Sequence, residues 1–107
     1  MAQDYVVLKD SSEYGRIVIN KSVFQSISEI SVRDIDNISL KDTKFNKPVN
    51  VWVEKNKLHI SADIRVKYGA NVNATCGLVQ NRIYENIVFM TGFKPSEVSV
   101  NVIGFEI

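Results

Sequence analysis

A chain of 107 residues, 45% apolar and 23% charged, has the length of one domain and the composition of a globular protein, which excludes disorder as its main state. Its formal net charge of +1 offers no basic excess for neutralising phosphates, so no nucleic-acid partner is expected. One cysteine, Cys76, excludes an internal disulfide, and together with one histidine, His59, it cannot build a cysteine–histidine zinc site.

Residues 1–13 are polar apart from Tyr5-Val6-Val7-Leu8 and read as a flexible N-terminal arm or a short edge segment. They carry no basic region leading into a long apolar run. No stretch of the chain reaches the roughly 18–20 apolar residues of a membrane span. The expected location is cytoplasmic, with any membrane association made through a partner and not by direct insertion.

Residues 14–107 read as a single domain. Arg16-Ile17-Val18-Ile19 is rich in β-formers. Asn20 can cap a helix over about residues 21–31, whose apolar stripe is Val23, Phe24, Ile27 and Ile30, with Lys21, Gln25, Ser28 and Glu29 outside. Ile35, Ile38 and Leu40 fit a short strand, and Lys41 to Lys47 is a polar loop. Residues 49–54 alternate as Val-Asn-Val-Trp-Val-Glu, and Lys55-Asn56 supplies a tight turn.

The clearest alternation follows. Leu58, Ile60, Ala62, Ile64, Val66 and Tyr68 share one side, and His59, Ser61, Asp63, Arg65 and Lys67 the other. Such a strand lies with one face on a core and one toward water. Gly69 ends it, and Asn71 caps a longer helix with Val72, Cys76, Val79, Ile83, Ile87 and Met90 in its core stripe. Gly92 suits a left-handed C-cap, Pro95 bars a restart, and Glu97 to Ile107 is a final strand. The fold class is α+β: a mainly antiparallel sheet with two helices packed on one face, in the order β-α-β-β-β-α-β.

Chemistry-bearing patterns are few. His59, Ser61 and Asp63 share a strand face, as a nucleophile triad would need, but along a flat strand they read as a solvated polar face. Gly69-Ala70-Asn71 precedes a helix without the other glycines and the lysine of a phosphate cradle. Cys76, inside an apolar helical stripe, reads as a small buried hydrophobe. No catalytic residue, metal ligand or cofactor is expected. Surface remains. If the valines of residues 49–53 face the core, Trp52 faces outward, and Ile103 and Phe105 oppose Val98, Val100 and Val102. The outer face is then expected to gather Trp52, Ile103 and Phe105 beside His59, Ser61 and Arg65 as a partner surface.

Val66-Lys67-Tyr68-Gly69, Val79-Gln80, Met90-Thr91-Gly92 and Val100-Asn101-Val102-Ile103-Gly104, in that order and spacing, resemble the alkaline shock protein family of Gram-positive bacteria. Gly15-Arg16-Ile17 and the helix after it match more loosely, and Ser31 to Ile38 replaces the family's Glu-Val-x-Gly-Val segment. The resemblance implies a non-enzymatic cytoplasmic protein of cell-envelope stress and homeostasis, acting through self-association and a membrane-anchor partner. A second branch of the family implies instead a regulatory module on the fatty-acid-synthesis enzyme acetyl-CoA carboxylase. An RNA-binding module, suggested only by the compact α+β shape, ranks below both.

Overall fold

The computed structural model describes residues 5–8, 17–40 and 48–106. Strand β1 (Tyr5–Leu8) pairs antiparallel with β2 (Ile17–Asn20), and α1 (Lys21–Val32) follows directly. Then come β3 (Ile38–Leu40), β4 (Val49–Glu54), β5 (Lys57–Lys67), α2 (Val72–Thr91) and β6 (Glu97–Glu106). The expected order thus gains one strand, β1, inside the N-terminal segment read as an arm. The rest of that segment, Tyr14-Gly15 and the 41–47 loop lie outside the described residues.

β5 is the spine of the larger sheet. β4 pairs antiparallel with residues 57–62 of it and β3 with residues 64–66, so the two short strands share one edge end to end. β6 takes the other edge and runs parallel to β5. The sheet is therefore mainly antiparallel by its pairings with β3 and β4, with one parallel pair that the sequence reading did not separate. A parallel pair needs a crossover, and α2 supplies it. The β4–β5 hairpin turns on Lys55 and Asn56, with φ of 52° and 61°. Both central residues in the left-handed region match a turn whose twist suits paired strands.

Both helices lie on one face of this sheet. Phe24 and Ile27 of α1 and Val79, Ile83 and Ile87 of α2 form one buried cluster with Val49, Val51, Leu58, Ile60, Ala62, Ile64, Val66 and Val98. Burying each of these Val, Leu, Ile and Phe side chains contributes about 1.5–3 kcal/mol before chain entropy is counted. The Asn20 side chain caps α1 by accepting from the N–H of Ser22 at 2.9 Å. Asn71 caps α2 through the N–H of Ala74 at 3.0 Å. Gly92 ends α2 with φ of 78°, a conformation that costs an L side chain about 1–2 kcal/mol.

Two details of the helices depart from expectation. In α1 the buried side is Phe24, Ile27, Ser28, Ser31 and Val32, while Val23 and Ile30 are exposed. Serine fills this side because its hydroxyl can satisfy itself within the helix. Ser28 Oγ donates to the carbonyl of Phe24 at 2.8 Å, and Ser31 Oγ donates to that of Ile27. Asn86 Nδ2 of α2 then donates to Ser31 Oγ at 2.8 Å, stitching the helices together. In α2, Met90 is 57% exposed although it lies angularly with Val79, Ile83 and Ile87. It sits in the last turn before Gly92, where no described element covers it.

Candidate partner-binding surface

The outer face of the sheet is built in rows, because residues paired across strands point the same way. The first row is Trp52, His59 and Glu97. The Trp52 indole stacks on the His59 ring with centroids 5.4 Å apart and planes 9° apart. His59 Nδ1 lies 3.3 Å from Glu97 Oε1 on its other side. The second and third rows are joined by one amide: Asn101 Nδ2 donates to Ser61 Oγ at 2.8 Å and to Asp63 Oδ1 at 3.0 Å. Beyond them, Arg65 pairs with Ser39 and Gly104 and is exposed. Ser39 Oγ donates to a carboxylate oxygen of Glu106.

Trp52, His59 and Ser61 are half-buried members of this face. The bonds of the triad-like set run elsewhere than a triad requires. Ser61 and Asp63 share Asn101, while His59 is held between Trp52 and Glu97. Cys76 is partly buried and packs against the core. Among the described residues, no cluster of three or more His, Cys, Asp or Glu side chains could hold a metal ion. Nor is any helix of the described residues long and apolar enough to cross a membrane.

Phe105 departs from the expected face. The β5–β6 register slips between Ile64 and Arg65: Val102 pairs with Ile64 and Gly104 with Arg65, leaving Ile103 as an extra residue. One inserted residue reverses the alternation beyond it. Phe105 consequently pairs with Val66, a core residue, and Glu106 with Lys67 on the outer side. The contact of Glu106 with Ser39 fits this reversal. Phe105, 55% exposed, meets Tyr68 edge-on with centroids 6.5 Å apart, at the helix-side end of the sheet. Ile103, 42% exposed, marks the bulge itself.

Glu97 and Asn101 escaped the sequence reading although they organise the outer face. Their signal was present, since both lie in the final strand at outward positions, but their partners depend on the parallel pairing. Phe89 escaped it too. At 86% exposed it is the barest large apolar side chain described, next to Met90.

Residues 9–107 match the family model of alkaline shock protein 23, whose description is a cell envelope-related function. The chain belongs to the alkaline shock protein family. Comparison with curated proteins returns no match. The alkaline shock protein family is not a known enzyme family.

The residues that carry the resemblance have visible work in the fold. Gly69 turns the chain out of β5 with φ of 91°. Val79 is fully buried, and Gln80 Nε2 donates to the Val98 carbonyl at 2.7 Å, tying α2 to β6. Thr91 Oγ1 donates to the Ile87 carbonyl at 2.7 Å and accepts from the N–H of Phe93 at 3.1 Å, so Met90-Thr91-Gly92 is a helix stop. Val100-Asn101-Val102 alternates between the helix side and the bridging amide of the outer face.

Proposed function

We propose that this chain is a non-enzymatic interaction protein of the cytoplasmic side of the cell envelope, acting through self-association and a membrane-anchor partner. The observation that carries the reading is the match of residues 9–107 to a family with a cell envelope-related function. The surface chemistry supports it. The outer face offers an indole, an imidazole and fixed amide and hydroxyl groups on a rigid sheet, the mixture that favours protein recognition.

The test is recovery of the full chain from its native membranes. Washed membranes should retain the added protein, and trypsin treatment of the membranes beforehand should abolish retention. Retention by protein-free lipid vesicles, or none by native membranes, would contradict the reading. Co-purification with a lipid-synthesis enzyme in place of an envelope protein would replace it with the regulatory alternative.

A further inference from the structure

Strand β6 is paired with β5 along one edge only, and no described residue pairs with its other edge. Gln80 Nε2, reaching down from α2, donates to the Val98 carbonyl, so the main-chain groups of Val98 point away from β5. In a parallel pair, alternate residues direct both N–H and C=O to the same side. Val100 and Val102 therefore turn their main-chain groups to the open edge as well.

Proteins blunt such edges with lysine, proline or inward-pointing charge. Glu97-Val-Ser-Val-Asn-Val-Ile-Gly-Phe-Glu106 contains no lysine and no proline, and its charges stand only at its two ends. Two features blunt it: the bulge at Ile103, and the Gln80 amide, which already occupies the Val98 carbonyl and leaves Val100 and Val102 as its open stretch. On the helix side, Val100 and Val102 pack against the core but are only partly buried.

We propose that this edge is the self-association surface: β6 of a second copy of the chain pairs with it antiparallel about a two-fold axis through Val100. The proposal rests on the self-association in the function proposed above and names the strand that performs it. The register follows from three conditions. Facing residues must lie on the same side of the joint sheet, and the bulge ends regular pairing at Ile103. Centring on Val100 gives the longest stretch meeting both, with Val98 opposite Val102, Ser99 opposite Asn101 and Glu97 opposite Ile103. The third condition is charge. This register leaves no carboxylates facing each other, with Glu97 of each copy opposite the apolar Ile103 of the other.

The two ends of the strand are complementary in the same sense. At its end stands the exposed Phe105 with Tyr68. Beside its start lies an open groove between α2 and the β6 edge, lined by Gln80, Asn81, Tyr84, Pro95 and Val98. The two-fold brings the Phe105 of each copy to the groove of the other. Reciprocity of this kind, where one patch supplies both knob and hole, is what a closed isologous dimer requires.

Two substitutions test the strand. The N–H of Val100 is not used by β5, so Val100→Pro should leave the fold intact while removing hydrogen bonds at the two-fold. By sedimentation it should weaken self-association at least tenfold, with an unchanged far-ultraviolet circular dichroism spectrum. In a Cys76→Ala background, Val100→Cys should form an intermolecular disulfide under mild oxidation, because hydrogen-bonded facing residues have Cα atoms about 5.5 Å apart. Ser26→Cys in the same background, on the exposed side of α1, should not. If wild-type protein self-associates but Val100→Cys does not cross-link, β6 is rejected and self-association stands. If wild-type protein stays monomeric at all concentrations and does not cross-link, both fall. The cross-link decides the matter even where Val100→Pro fails to fold.

Discussion

The two faces of β5 differ in what completes them. On the helix side Leu58, Ile60, Ala62, Ile64 and Val66 are closed over by α1 and α2 and need nothing further. On the outer side His59, Ser61 and Asp63 are half-buried and held by Trp52, Glu97 and Asn101, with no described element packed above them. On the proposed function, alternate residues of one strand would serve stability and recognition separately. Substitutions on the first side should act on folding, and those on the second on binding.

The largest effect is expected in the core. Ile64→Ala leaves a cavity beneath both helices and should cost about 2–5 kcal/mol in denaturant unfolding. A loss below 1 kcal/mol would show that the helices do not close this face. Next comes the serine seam between the helices. Ser28→Leu adds volume where α1 meets the core and should cost about 1–3 kcal/mol. A stabilised Ser28→Leu variant would mean that the seam holds spare room. Asn71→Ala removes the N-cap of α2 and should cost about 1 kcal/mol, read as a lower Tm.

The outer face should yield the smallest change in stability. Trp52→Ala loses one stacking contact with His59 and should cost about 1 kcal/mol. As Trp52 is the only tryptophan, a His59→Ala variant should shift its fluorescence emission without unfolding the protein. Unchanged emission would separate the two rings in solution.

Much of this division was legible in the sequence. The strict alternation of Leu58 to Lys67 dictates a strand with one buried face, and Asn71 and Gly92 bracket α2 because each matches a capping geometry. The outer position of Trp52 followed from its neighbours Val51 and Val53. What stayed hidden depends on contacts distant in the chain. Nothing local in Glu97 to Glu106 announces whether it runs parallel or antiparallel to β5. The bulge at Ile103 inserts one residue, and a single residue suffices to move Phe105 from one face to the other. The serine side of α1 was hidden for another reason. Ser28 and Ser31 look polar in a periodicity, yet each hydroxyl is satisfied by its own helix, so burial costs little.

Family membership gives this fold a cell envelope-related role, and the proposed reading assigns the contact to the face the helices leave open. The most direct test compares Trp52→Ala with Ile64→Ala, measuring thermal unfolding and retention by native membranes on the same preparations. Trp52→Ala should keep its Tm within a few degrees of wild type, as a change of about 1 kcal/mol allows, while losing most of its retention. Full retention by a folded Trp52→Ala variant would contradict the proposed reading.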